Sequence, residues 1–168
     1  MPDKETIKRA RKDRKEGKSA STQAGEFVRE EIDHVRKGKH GARSTKQAIA
    51  IGLSKARRAG VDLPPPEKGQ TSERTRKSAK SAYESGRRKP GRKPSAKRSR
   101  AVRKALKDEP HRTASKKALS KQARSAARRR PAADRQAAAK KADRTKSPRE
   151  RHEAAIRAAR TRQEHAHA

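Results

Sequence analysis

The shortage of large apolar side chains limits what this chain can fold into more than any other feature. One Phe, one Tyr and no Trp occur in 168 residues, and only 27% of the sequence is hydrophobic. Ordering a backbone costs roughly 1–2 kcal/mol per residue, and alanine, which supplies most of the apolar positions, buries little area to offset that cost. The length would accommodate one domain. The composition instead predicts a mostly disordered chain with all-α elements: a small helical hairpin followed by a basic Ala/Lys/Arg-rich tail with nascent helices.

The triple proline Pro64-Pro65-Pro66 divides the chain into parts of different character. Eleven large apolar residues stand up to Pro66, and only Tyr83, Val102, Leu106, Leu119 and Ile156 beyond it. Whatever core exists is therefore expected in the first 66 residues. There Phe27, Val28, Ile32 and Val35 recur at helical spacing, with Glu30, Glu31 and Asp33 on the other faces, so an amphipathic helix ending near Gly38 or Gly41 is predicted. Ser44 and Gln47 match a capping box that opens a second helix with Ala48, Ile49, Leu53 and Ala56 on one face. Gly60 supplies its left-handed stop and Val61 the apolar contact of a Schellman motif. So small a hairpin is expected to be marginal, paired with another copy, or completed by a ligand.

The expected organisation is a basic N-terminal arm (1–20), the helical hairpin (21–66), a basic Pro/Gly/Ser linker (67–95) and the Ala/Lys/Arg-rich tail (96–168). The arm reads as a weak helix, with Ile7 its single large apolar residue after Met1, and the stretch from Gln70 to Ser95 as extended or disordered. In the tail, Pro110, Pro131 and Pro148 cut out candidate helices near 96–107, 115–130, 132–146 and 148–163. The last has the clearest start, with Ser147 as N-cap, Pro148 at the first helical position and Glu150 at the third. The segment from Gln136 to Lys146 also resembles that from Glu153 to Arg162, which suggests repeated backbone contacts.

Charge points to the partner. Lys and Arg total 51 against 19 Asp and Glu, a net +32. Before the proline boundary there are 17 basic and 9 acidic residues, and after it 34 and 10, so net charges of +8 and +24 place three quarters of the excess in the C-terminal part. Such a chain repels itself until a polyanion neutralises it, and nucleic acid is the expected ligand, duplex DNA favoured and RNA an alternative. Membrane insertion is not expected, because no apolar stretch approaches the ~20 residues of a spanning helix. Met1 to Lys18 lacks the apolar centre of a signal peptide, so a cytoplasmic location is expected.

The expected nucleic-acid contacts are Arg87, Arg88, Lys89, Arg92, Lys93, Lys97, Arg98, Arg100, Arg103, Lys104, Lys116, Lys117, Arg124, Arg128, Arg129, Arg130, Lys140, Lys141, Arg157 and Arg160. Arg87 to Pro94 resembles an AT-hook, a Gly-Arg-Pro element of narrow minor grooves, although Lys93 intervenes between Arg92 and Pro94. The same residues also read as a plain basic linker. On the hairpin, Lys46, Lys55, Arg57 and Arg58 form a basic face that fits either a helix against nucleic acid or the solvated side of an interaction module.

No catalytic pattern holds, and the chain is not expected to be an enzyme. Gly17-Lys18-Ser19 ends like a phosphate-binding loop, but Lys12 stands where that loop needs its first glycine. His152-Glu153 begins like a zinc-protease helix, but Ile156 replaces the second histidine. His34, His40, His111, His165 and His167 show no ligand spacing apart from the His165-Ala166-His167 pair, and there is no cysteine, so neither a metal nor a cofactor is expected. Glu30, Glu31 and Asp33 are expected to pair with basic residues.

Gly25-Glu26-Phe27-Val28-Arg29-Glu30-Glu31, then Lys37-Gly38-Lys39-His40-Gly41 and the run from Ser44 to Gly60, resemble a family of small basic bacterial proteins of unknown function over residues 21–66. The tail is similar in composition to linker-histone tails and bacterial histone-like proteins. The first resemblance implies a bacterial cytoplasmic protein and no particular activity; the second implies DNA compaction or charge shielding. The leading expectation is a nucleoid-associated protein that binds DNA irrespective of sequence, with the hairpin adding self-association or a protein contact. An RNA-binding or ribosome-associated protein, and an adaptor tethered to nucleic acid by its tail, fit the same residues.

Overall fold

The computed structural model describes residues 2–88, 95–145 and 147–166. Within them the chain is all-α: α1 (Lys4–Lys15), α2 (Ala20–Arg36), α3 (Thr45–Arg58), α4 (Glu73–Arg87), α5 (Ala96–Lys107), α6 (Lys116–Arg128), α7 (Ala132–Thr145) and α8 (Pro148–Ala166), with a single 3-10 turn at Arg112–Ala114. The expectation of a mostly disordered chain is overturned. The chain forms two compact units, Met1–Gln122 and Ala123–Ala168.

The first unit is ordered because it builds its core from small residues. Among the described residues, eight of its twelve buried hydrophobic residues are alanines: Ala10, Ala24, Ala42, Ala48, Ala56, Ala79, Ala82 and Ala114. One cluster gathers Phe27, Ala24, Ala10, Ala56 and Val61, with Ile7, Leu53 and Leu63 against it. A second gathers Ile32, Val35, Ala42, Ala48 and Ala114, with Val28 and Leu119 against it. Small side chains bring helix backbones close, so dispersion contacts between main chains replace the area that large side chains would bury. At Gly52 α3 lies close against α2, so that an added Cβ would lie 2.6 Å from Val28 Cα and 3.0 Å from Phe27 O.

Gly52→Ala tests this packing. In an unconstrained helix the change would gain about 1 kcal/mol from intrinsic propensity. Here it must push two backbones apart, and overpacking of a dense core costs about 1–3 kcal/mol. A lowered melting temperature by circular dichroism is expected, and a raised one would contradict the close α2–α3 crossing.

Local signals are met where the sequence placed them. Ser44 Oγ accepts from Gln47 N at 3.2 Å, while Gln47 Oε1 accepts from Arg43 N, one residue upstream of the usual capping-box donor, at 2.7 Å. After α3, Val61 N donates to Ala56 O and Gly60 N to Arg57 O, the two bonds of a Schellman motif, with Gly60 at φ +87°. The turn after α2 repeats it, with Lys39 N to His34 O and Gly38 N to Val35 O.

Three segments differ from expectation. The N-terminal arm is helix α1, with Thr6 and Ala10 buried against α2. The stretch from Gln70 to Ser95 contains α4, opened by Ser72 Oγ accepting from Thr75 N, with Ala79 and Ala82 buried and the helix packed on α3. Tyr83 Oη and Arg87 Nη2 both donate to Asp62 Oδ1 at 2.6 Å, which ties α4 to the chain leaving α3.

The third difference answers how so small a hairpin is completed. Its own later chain does it, and the core therefore extends past residue 66. Gly41 N donates to Leu106 O at 2.7 Å and Ala42 N to Pro110 O at 3.1 Å. Thr45 Oγ1 donates to Thr113 O, Thr113 Oγ1 to Ala42 O and Arg36 Nε to Ala114 O. These bonds fasten residues 106–114 over the α2–α3 turn and bury Ala114.

The second unit holds the end of α6 with α7 and α8, and none of its described residues is buried. The predicted start of α8 is present: Glu150 N donates to Ser147 Oγ at 3.3 Å, and Ser147 N donates back to Glu150 Oε2 at 2.8 Å. Arg151 pairs with Asp143, joining α8 to α7. The tail helices lie where the prolines were expected to cut them.

Candidate nucleic-acid interface

The tail cations are carried on helices and face solvent. Lys97, Arg100, Arg103 and Lys104 are exposed on α5, Lys116, Lys117, Arg124 and Arg128 on α6, Lys140 and Lys141 on α7, and Arg157 and Arg160 on α8, with Arg129 and Arg130 exposed just after α6. Lys97, Arg100, Lys104 and Lys107 follow i, i+3, i+7, i+10 spacing and share one face of α5, while Val102 and Leu106 lie on another. Neither α5 nor α6 contains an acidic residue. On α8 the pattern is mixed, since Arg149 pairs with Glu153 and Arg160 with Glu164. Arg98 lies on α5.

Of the hook-like element, Arg87 and Arg88 are exposed, and Arg87 is already engaged: besides pairing with Asp62, its guanidinium lies 4.3 Å from the centre of the Tyr83 ring. Lys89, Arg92 and Lys93 lie outside the described residues.

The hairpin basic face divides. Lys46 and Arg58 are exposed. Arg57 is buried, with Nε donating to Leu63 O at 3.0 Å and Nη2 to Pro64 O at 3.3 Å, so it caps the carbonyls of the chain leaving α3. Lys55 turns inward onto two carboxylates of α2, with Nζ 3.1 Å from Glu30 Oε1 and 2.7 Å from Glu31 Oε2.

Those carboxylates were expected on the outer faces of α2, yet both are buried, Glu31 completely. Burial opposes the Glu30 charge, but donors from Thr6, from the Asp3 N–H at 3.1 Å and from Lys55 outweigh it and hold this carboxyl below its ordinary range. Burial likewise opposes the Lys55 charge, and Glu31 and Glu30 overcome it to hold the ammonium above its ordinary value. Two histidines join this cluster. His40 Nε2 is 3.3 Å from Glu31 Oε1, and His34 Nε2 is 3.3 Å from Asp3 Oδ2. The ligand atoms of Glu31, His34 and His40 all lie within 4.8 Å of one another, and those of Asp3, Glu30 and His34 form a second such group. The spacing of the histidines gave no sign of this. The available signal was Glu31 and His34, three apart on one helical face, with His40 just past a Gly38 turn that folds the chain back.

Residues 3–68 match the model described as Family of unknown function (DUF6496). The match runs from the start of α1 through α3 and the proline segment, so it reaches further toward the N-terminus than the resemblance over 21–66. Comparison with curated proteins and with solved structures gives no match. Among the described residues no helix is long and apolar enough to cross a membrane.

Proposed function

We propose that this chain is a non-enzymatic, histone-like protein that binds duplex DNA along its phosphate backbone irrespective of sequence, neutralising and bridging DNA in a bacterial nucleoid. The observation that carries this reading is α5, where four cations line one exposed face of a helix that has no acid to compensate them. Residues 96–166 as a whole hold 24 basic and 7 acidic residues. Duplex DNA presents one negative charge per ~1.7 Å of its axis, so each neutralised phosphate releases condensed counterions and binding needs no base contact. The tail helices carry Lys, Arg and Ala in abundance, and Lys and Arg bind the phosphates of any sequence.

In this reading the packed helices α1 to α4 supply a folded base, and the helices from α5 onward supply phosphate contacts. The experiment is a competition series in which the full chain, held on labelled duplex DNA, is challenged with unlabelled duplex DNA, structured RNA and single-stranded DNA at equal nucleotide concentration. Duplex DNA is expected to compete best, with A/T-rich and G/C-rich duplexes equivalent. Preferential displacement by structured RNA would replace this reading with an RNA-binding one.

A further inference from the structure

We propose that Glu31, His34 and His40 form a binding site for a divalent transition-metal ion of the zinc type, tying α2 to the turn that follows it. The site is independent of the DNA-binding cations.

The first observation is the state of Glu31. Its side chain is 0% exposed, and neither carboxylate oxygen has a hydrogen-bond partner, although two basic groups stand within ion-pair range. Lys55 stands 2.7 Å from Glu31 Oε2 and shares its ammonium with Glu30, to which it donates at 3.1 Å, and it leaves Glu31 Oε1 uncovered. A buried carboxylate without aligned donors is costly unless a cation coordinates it.

The second is the orientation of His40. Its Nδ1 lies 3.0 Å from Gly41 O, an acceptor only, so Nδ1 carries the proton of that bond. Its Nε2 then faces Glu31 Oε1 at 3.3 Å, the placement of two ligand atoms that share one cation. A backbone carbonyl that fixes the far ring nitrogen is also the usual outer partner of a metal-bound histidine.

The third is distance. Four-coordinate zinc holds nitrogen and oxygen ligands at about 2.0–2.2 Å, which sets neighbouring ligand atoms about 3.3–3.5 Å apart. Glu31 Oε1 and His40 Nε2 already stand at 3.3 Å, and His34 supplies a nitrogen within 4.8 Å of both. Lys55 against Glu31 Oε2 orients the carboxylate so that Oε1 is presented to the metal. Two imidazoles and one carboxylate suit zinc or cobalt and leave a fourth position for water. The group Asp3, Glu30 and His34 is the weaker candidate, because the Glu30 oxygens already accept from the Asp3 N–H and from Lys55.

The test is titration of the full chain, stripped with chelator, with Co2+ followed in the visible spectrum. The absorption of four-coordinate cobalt should saturate at one equivalent and be bleached by Zn2+. His40→Gln and His34→Gln should each weaken binding by more than about 10-fold, while their helical circular dichroism stays that of the parent. The double variant His165→Gln, His167→Gln should leave the spectrum unchanged. Absence of a four-coordinate spectrum at saturating cobalt, or one that survives His40→Gln, would overturn the proposal. Loss of the spectrum in the terminal double variant would do the same, by moving the metal elsewhere.

Discussion

A chain carrying both Ile32→Asp and Leu53→Asp is expected to lose the packed bundle of α1 to α4 while keeping most of its DNA affinity. Ile32 is 7% exposed in one core cluster and Leu53 packs against the other, so the two carboxylates strike both. Each buried charge without a partner costs several kcal/mol, and a domain typically has only about 5–15 kcal/mol in total. The cooperative thermal transition should disappear. Duplex DNA binding should change by about a few-fold, because phosphate contacts need charge more than a fixed fold, and the cations of α7 and α8 lie in the second unit, outside that core. If affinity collapsed instead, the folded bundle would be the binding surface, and a helix-in-groove mode would be the better account.

The converse variant leaves the core alone. Replacing Arg128, Arg129, Arg130, Lys140, Lys141, Arg157 and Arg160 by Gln removes seven charges from exposed positions, so the melting transition of the first unit should be unchanged. Each phosphate contact contributes ~0.9 to the slope of log affinity against log salt. If about three to seven contacts are lost, the slope becomes shallower by about 3 to 6, and affinity near 150 mM salt falls by about two to five orders of magnitude. A loss under 10-fold would show that these side chains are not the contacts.

How much of this could be read from the sequence differs by the kind of interaction. Starts and stops were legible, because Ser44 with Gln47, Ser147 with Glu150, and the glycines at 38 and 60 act through local backbone bonds that short motifs specify. The tail helices were legible from proline spacing. Overall order was not, because an expectation weighted by large apolar residues gives no credit to Ala48, Ala56 or Ala82, whose contribution comes from backbones brought together at places such as Gly52. The docking of residues 106–114 was hidden because it rests on main-chain and threonine hydrogen bonds, which leave no hydrophobic period. The positions of the tail cations on helices followed from the expected helix bounds. Lys55 and Arg57 were not legible, since their spacing on α3 matches a surface face and only tertiary structure turns them toward Glu30, Glu31 and the Leu63 carbonyl.

The most direct test of backbone-driven DNA binding is the salt dependence of the full chain's affinity for one short duplex, followed by fluorescence anisotropy from about 50 to 200 mM monovalent salt. With about 6 to 10 phosphates engaged, the log-log slope should lie near −5 to −9, and it should be the same for A/T-rich and G/C-rich duplexes. A slope shallower than about −2, or one that differs between the two sequences, would contradict it.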